Sequence, residues 1–214
     1  MGSSGKNKHQ YVTKKMNLFN KLKLVAGLGP EQKKSIDETK QYEILRDDSI
    51  DVIFAKTLIQ NNGTFFYCDN ETALIQTIQA LVKESNIDQI YCIEPILQTL
   101  LSKSKINYNS SNPSCDAILS SCEYLIAQKA KIMLSSKQLG SNDIKNLPQN
   151  HIIIAYASQI VKSLNEGMSG INMRHIDNLP STITTIKSKH KNNIDNLDGN
   201  IKNLSVILIE DFNS

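Results

Sequence analysis

The feature that most constrains the fold of this 214-residue chain is the stretch from Cys115 to Val161, in which apolar runs flank a polar loop. The later run, HIIIAYA (151–157), is apolar without interruption after its opening histidine. Such a run is typical of a parallel strand that is covered on both faces. We therefore expect 151–157 to be a central strand of a sheet with helices on both sides.

The segment before this stretch alternates between strand-like and helix-like patterns. TFFYC (64–68) and QIYCIE (89–94) predict strands, whereas 49–62, 71–85 and 95–103 carry apolar stripes at helical spacing. Strands that are joined by helical crossovers pair in parallel. The predicted fold class is α/β, a three-layer α/β/α arrangement with a mostly parallel mixed sheet.

Three short β-rich runs follow without helices between them, which predicts a local antiparallel or irregular patch: 117–122, 124–127 and 131–136. After the central strand, 158–168 is predicted to be a helix, and GMSG (167–170) is interpreted as its C-terminal cap. The run 203–212 is predicted to close the sheet.

The N-terminal part differs from the rest in charge. Residues 1–40 carry nine lysines and three acidic residues, so this part has a net charge of +6 within a chain of net charge +3. Residues 1–48 are predicted to be a basic, partly mobile extension with a short amphipathic helix at 16–25, and 49–214 to be the α/β domain. The mildly acidic domain is a poor match for a phosphate backbone, so we expect no nucleic-acid partner. No apolar run is long enough to predict a transmembrane segment.

The cysteine and histidine patterns argue against a metal centre. Neither the four cysteines nor the four histidines are clustered, and no CxxC pair occurs. Zinc and iron–sulfur sites need clustered ligands, so we expect no cofactor on this chain. The cysteines are interpreted as small buried thiols in a reducing cytosol, which predicts a cytoplasmic location.

Two residues are candidates for catalysis. His151 lies between a proline-containing loop and a buried strand, where it could shuttle a proton or donate to an anion, or could simply cap the strand. Glu123 lies between two short strands and could act as an acid or base, orient His151, or be a solvated turn residue. Asp116 is interpreted as a carboxylate that caps backbone N–H groups.

Two polar clusters are candidates for ligand binding. Hydroxyls, amides and cations at strand ends could hold a phosphate or a carboxylate if the two loops meet above the sheet, although either cluster alone could be solvated. The residues are Ser135, Ser136, Lys137 and Gln138 in the first cluster and Ser181, Thr182, Thr185 and Lys187 in the second.

The order of several short motifs resembles the lactate-utilisation (LUD) domain family, in particular proteins like lactate-utilisation protein C. The resemblance covers about residues 50–212, and its motifs are Asp116-Ala117, Leu125-Ile126-Ala127, Ile132–Ser136, Leu147-Pro148, His151-Ile152 and Pro180-Ser181-Thr182 with Thr185. It implies a fold like that of sugar-phosphate isomerases and CoA transferases. It also implies organic-acid metabolism, a small anionic metabolite as ligand, and iron–sulfur oxidoreductase subunits as partners.

The chain departs from the family pattern at two turns. Gln128-Lys129-Ala130 replaces an acid-threonine-glycine turn, and Leu179 precedes Pro180 where the family commonly has glycine. One alternative is therefore a non-catalytic binding or regulatory module that keeps the fold. Another is an isomerase or transferase for a sugar phosphate or an acyl-CoA, by analogy of fold.

Overall fold

A mixed sheet of ten strands forms the centre of the described part of the chain, which is residues 42–188 and 200–210 of the computed structural model. The predicted helix at 16–25 and most of the basic extension lie outside the described residues. The strands are β1 (Thr64–Cys68), β2 (Ile90–Tyr91), β3 (Tyr108–Asn109), β4 (Ala117–Ser120), β5 (Tyr124–Ile126), β6 (Lys131–Ser135), β7 (Asn150–Tyr156), β8 (Ile160–Val161), β9 (Ile183–Ser188) and β10 (Ile201–Ile209). The α-helices are α1 (Ile50–Gln60), α2 (Glu71–Glu84), α3 (Pro95–Lys103), α4 (Ser136–Leu139) and α5 (Leu164–Arg174), and short 3-10 turns lie at Ala127–Lys129, Ile144–Asn146 and Ala157–Gln159.

The sheet confirms the predicted α/β class. The strand order is β3-β2-β4-β7-β10-β9-β6-β5-β8, and β1 pairs in parallel with the second half of β10. The five neighbouring strands β3, β2, β4, β7 and β10 pair in parallel. Strand β6 is antiparallel to both β5 and β9, and the short β-rich runs had predicted such a patch. The predicted central strand is β7, which lies between β4 and β10.

The run 203–212, which was predicted to close the sheet, corresponds to β10, and this strand does not lie at an edge. It lies in the interior and pairs with β7 along one side, and with β9 and then β1 along the other. Its side chains are buried on both faces, as the apolar run VILI (206–209) requires.

Helices α2 and α3 cover one face of the parallel strands. The apolar stripe of α2 packs with that of α3 against residues of β4, β7 and β10, whereas α1 packs on the other face. Asn70 begins α2, and its side-chain oxygen accepts a hydrogen bond from the backbone N–H of Ala73 at 2.8 Å. This contact satisfies one of the free donors of the first turn.

The cap at Asn70 leads to a simple test. Asn70→Ala should lower the free energy of unfolding by about 1 kcal/mol, because the first turn of α2 loses its only side-chain acceptor at the N-cap. Asn70→Asp is the matched control and should retain most of the stability, since a carboxylate oxygen can accept the same bond. Urea unfolding measures both, and an equal loss in the two variants would contradict the capping role.

The predicted helix at 158–168 is wrong in its first half. Ile160 and Val161 form β8, which pairs with Leu125 and Ile126 of β5. Helix α5 starts only after Ser163, whose side chain accepts from the N–H of Glu166 at 3.3 Å. The β-branched residues therefore add a short parallel strand beside β5 instead of starting the helix.

The segment GMSG is not a helix cap, because α5 continues through it to Arg174. A Cβ atom at Gly170 would collide with the hydroxyl and ring of Tyr124, and one at Gly167 would press on Met133. These glycines lie in the helix because α5 packs closely on β5 and β6 there.

Four strands are shorter than predicted, since β4 ends at Ser120 and β5 at Ile126 as well. The run at 89–94 forms only the two residues of β2, and Glu94 begins α3. The run at 131–136 ends at Ser135, which starts α4 through a capping box with Gln138.

Candidate functional site

A cavity of about 590 Å³ lies where β4, β7 and β10 end. Its wall is formed by residues that follow β4, by the last residues of β7 and β10, and by the ends of the four helices α2 to α5. Open α/β sheets bind their ligands at this edge, because loops from several parallel strands converge there. The lining residues include Ser121, Cys122, Glu123, Lys137, Gln138, Ile154, Tyr156, Gln159, Arg174, His175 and Ile209.

Glu123 is the centre of the polar end of this cavity. It is only 2% exposed, and it lies directly before β5. One oxygen, Oε1, accepts from the Ser135 hydroxyl at 2.6 Å and from the Gln138 amide at 3.3 Å. The other, Oε2, accepts from His175 Nε2 at 3.1 Å. A buried carboxylate is thus held in one orientation by three donors from three different elements.

The pKa of Glu123 follows from these contacts. Burial by itself would raise it, but the hydrogen bonds from Ser135, His175 and Gln138 outweigh burial and lower the pKa below its ordinary value. Glu123 is therefore an anion at neutral pH.

Lys137 fixes the tautomer of His175. The Lys137 ammonium lies 2.8 Å from His175 Nδ1 and can only donate, so Nδ1 must accept. The proton of the neutral ring is then on Nε2, which donates to Glu123. Cation, imidazole and carboxylate form a continuous chain of hydrogen bonds in which each donor points towards Glu123.

Arg174 adds a second cation beside Glu123. Its Nη1 lies 3.5 Å from Glu123 Oε2, and its Nη2 donates to the Tyr124 hydroxyl at 3.1 Å. The guanidinium carbon lies 4.7 Å from the centre of the Tyr124 ring, which is the geometry of a cation–π contact. Because the Arg174 side chain is 43% exposed, some of its donors stay open to the cavity.

A second carboxylate, Glu94, lies close by but is held differently. It accepts from the backbone N–H of Ser121 at 2.7 Å and from the Ser121 hydroxyl. Burial raises its pKa although these bonds oppose the rise, and the charge of Glu123 raises it further. Glu94 therefore holds Ser121 in the loop that follows β4, and this loop leads directly to Glu123.

The structure places His151 away from this cavity. It is the second residue of β7, roughly 16 Å along the strand from Tyr156 at ~3.3 Å per residue. Its side chain is fully buried, and Nε2 lies 2.8 Å from the Ser120 hydroxyl. Glu123 is thus brought together with His175 and not with His151.

The two predicted ligand loops do meet. The Ser136 hydroxyl accepts from the Ser181 N–H at 3.1 Å, and the Ser136 N–H donates to the Thr182 carbonyl at 3.0 Å. They open on different spaces, however, because Lys137 and Gln138 line the Glu123 cavity, whereas Ser181 and Thr182 line a polar cavity of about 530 Å³.

The remaining candidates of these clusters have other surroundings. Ser135 is fully buried and donates to Glu123. Thr185 and Lys187 lie within β9, opposite Met133 and Ile201 respectively. Asp116 accepts from the N–H groups of Asp88 and Gln89 at 2.9 Å each, which is the capping contact expected of it.

The turn at Gln128-Lys129-Ala130 lies at the far end of the β5–β6 hairpin from Glu123. Gln128 and Lys129 are exposed, and Ala130 has φ 45°, a left-handed conformation that favours glycine. The departure from the family pattern at this turn therefore does not alter the residues around Glu123.

Sequence reasoning missed Arg174 and His175. The pair follows the glycines of α5 directly, so extending the helix beyond GMSG would have placed both residues at its C-terminal end. In residues 42–188 and 200–210, no group of three or more histidine, cysteine or acidic side chains could hold a metal ion. In the same ranges, no helix is long and apolar enough to cross a membrane.

Comparisons with known proteins agree with this architecture. The model of the LUD domain matches residues 101–209, about half of the chain. The crystal structure of a DUF162 family protein from Deinococcus radiodurans superposes with a TM-score of 0.54 at 16% sequence identity, over 75% of this chain and 96% of the other. No curated protein matches.

The fold is thus that of a three-layer α/β protein with a cavity at the carboxyl edge of its sheet. The chain belongs to the LUD domain family.

Proposed function

We propose that this chain takes part in the utilisation of lactate or a related organic acid, and that it binds a small anionic metabolite in the cavity at Glu123. The observation that supports this proposal is the polar end of the cavity, where Arg174 lies beside a buried, ionised carboxylate and Lys137 contacts His175, which donates to the same carboxylate. Both cations keep unused N–H donors that could hold the carboxylate of a ligand.

Glu123 is the proposed base of this site. It is ionised, oriented by Ser135, Gln138 and His175, and borders the cavity, so it could accept a proton from a bound hydroxy acid. His175 would act as a positioning residue, because its Nε2–H holds the Glu123 carboxylate and its Nδ1 is held by Lys137. As the family resemblance implies, iron–sulfur oxidoreductase subunits are the proposed partners in an oxidation.

A non-catalytic binding module is the second candidate. The family resemblance implies an acid at the turn that Gln128-Lys129-Ala130 occupies here, and the absence of that acid is the reason for this candidate. Because the turn lies away from Glu123, the candidate concerns an activity that the turn itself would have carried. Binding without turnover would identify this candidate, whereas turnover that Glu123→Gln abolishes would exclude it.

Thermal-shift and calorimetric titrations with lactate, pyruvate and other small anions test the proposal. A ligand at about 100 times its Kd should stabilise the wild type by ~2.7 kcal/mol, which corresponds to roughly 5–10 °C for a chain of this size. Arg174→Gln should weaken binding by about 10- to 100-fold, because a charge-assisted contact is lost.

Two further variants complete the panel. His151→Ala is included because the sequence predicts a role for His151, and Lys83→Gln on the exposed side of α2 is the matched control. If no anion shifts the wild type, the proposal is wrong. If Lys83→Gln weakens binding as much as Arg174→Gln does, the ligand lies elsewhere.

A further inference from the structure

We infer that the cavity at Glu123 is built for a monocarboxylate with an apolar tail of about six to ten carbons. This inference rests on the proposed function, since it takes the anion site at Lys137 and Arg174 as given. It adds the class of ligand, and three features of the cavity support it.

The first feature is size. At ~30 Å³ per non-hydrogen atom, the volume of a water molecule in the liquid, a three-carbon hydroxy acid fills roughly 180 Å³. The cavity measures about 590 Å³, so such an acid would leave more than two thirds of it empty. An acid of about eight carbons would fill roughly half of the space by the same measure, which leaves room for a longer tail.

The second feature is the apolar part of the wall. Apolar side chains of α2 and α3, together with residues of β7 and β10, form this wall: Leu74, Ile96, Leu97, Leu100, Ile154 and Ile209. Except for Ile96 at the lip, each of them is at most 9% exposed. A hydrocarbon tail matches this apolar wall, whereas the hydroxyls of a phosphosugar would lie against it without hydrogen-bond partners.

The third feature is charge. The cavity lining includes three cations, Lys103, Lys137 and Arg174, and two carboxylates, Glu71 and Glu123. The Lys103 ammonium is paired with Glu71 at 2.6 Å, so the excess of positive charge lies at Lys137 and Arg174, beside Glu123. One excess positive charge matches a monoanion. Because this charge lies at the polar end of the cavity, it orients the ligand with its carboxylate at that end and its tail along the apolar wall.

The polar cavity at Ser181 provides a contrast within the same molecule. Residues with hydroxyl, amide or charged side chains, among them Ser141, Asn142, Asp143 and Lys145, are mixed with apolar ones such as Leu139 and Ile144 in its lining. A tail of methylenes would gain less contact with hydrocarbon there than in the Glu123 cavity, to which we assign the apolar ligand.

Calorimetric titration of the full chain with a series of acids tests the inference. Lactate, butyrate, hexanoate and octanoate should bind with Kd values that fall by about fourfold for each added methylene, as expected for hydrocarbon that leaves water. 1-Octanol and octylamine are the matched controls for the carboxylate, and both should bind at least tenfold more weakly than octanoate.

Two variants locate the tail and the head. Ile96→Ser should weaken octanoate by about fivefold and leave butyrate unchanged, because only a long tail reaches the lip. Ile44→Ser is its control, since Ile44 is also exposed and does not line the cavity. Lys137→Gln should weaken every acid of the series by a similar factor.

The outcomes separate this inference from the proposed function. A Kd that is the same for lactate, butyrate and octanoate overturns the inference and leaves the anion site standing. Octanol binding as tightly as octanoate also overturns it, because the head would then contribute nothing. If no acid of any length binds, the proposed function itself fails.

Discussion

Acidification from pH 6.5 to 4.5 is expected to lower the free energy of unfolding by about 2 kcal/mol through His151 alone. The Ser120 hydroxyl donates to the carbonyl of Ser121 at 2.9 Å, so its oxygen must accept the proton of His151 Nε2. Nδ1 of the same ring is then a bare acceptor, and it is buried without a hydrogen-bond partner. A second proton on the ring would have to bind at Nδ1.

That protonation is strongly unfavourable. Burial, together with the smaller effect of the positive charge of Lys202, lowers the pKa of His151 from 6.5 to about 3. In the unfolded chain the imidazole titrates near 6.5. Between these two pH values the unfolded state binds one more proton than the folded state, so stability falls as the pH falls.

Urea unfolding at pH 7.5, 6.5, 5.5 and 4.5 measures this effect. His151→Leu removes the titrating ring, so its stability should decline less steeply, by up to ~1.4 kcal/mol per pH unit in the acid part of this range. Ile153→Val, on the same strand, is the control and should show a constant cost of ~1 kcal/mol at every pH. Parallel curves for the wild type and His151→Leu would contradict the argument.

Replacing Glu123 by alanine should lower the free energy of unfolding by about 3 kcal/mol at pH 7. The change leaves the amide of Gln138 and the Nε2–H of His175 without this acceptor, and it leaves Arg174 without its counter-charge. The Ser135 hydroxyl keeps only Gln138 Oε1 as an acceptor, at 3.0 Å. Glu123→Gln should cost roughly half as much, because its amide oxygen can still accept one of these bonds.

The pH dependence of this cost is a second criterion. Because the folded-state pKa of Glu123 is lowered, its contribution is present above the ordinary pKa and is lost as pH falls through the folded value. Urea unfolding of Glu123→Ala should therefore show a cost at pH 7 that shrinks in acid. Glu84→Ala, on the exposed side of α2, should change stability by less than ~0.5 kcal/mol. If Glu123→Ala is as mild as this control, the network around Glu123 does not stabilise the fold.

The parts of the fold that local patterns determine were predictable. The apolar run at 151–157 corresponds to β7, and the apolar stripe of α2 lies where its periodicity indicated, because each signal lies within a few residues. The predicted start of α5 was wrong because the local pattern fits two structures. Ile160 and Val161 fit an apolar helical stripe as well as a strand, and only their pairing with β5 favours the strand.

The site was predictable only in part. Glu123 stands out as a carboxylate between two short strands, but its partner His175 is 52 residues away in the chain and reaches it through the packing of α5 on β5. His151 follows a loop, and the sequence pattern therefore predicted that it lines a pocket. In the structure the pleat of β7 directs its side chain towards Ser120 of β4, where it is fully buried. Neither fact can be read from spacing along the sequence.

The position of β10 has a consequence for how the protein is made. All other described strands precede β10 in the chain, yet it lies between β7 on one side and β1 and β9 on the other. During synthesis the edges of β1, β7 and β9 that pair with β10 stay unpaired until residues 201–209 have left the ribosome. A nascent chain halted before that point would expose three unpaired strand edges, so chaperone binding should be greatest there and fall sharply once β10 emerges.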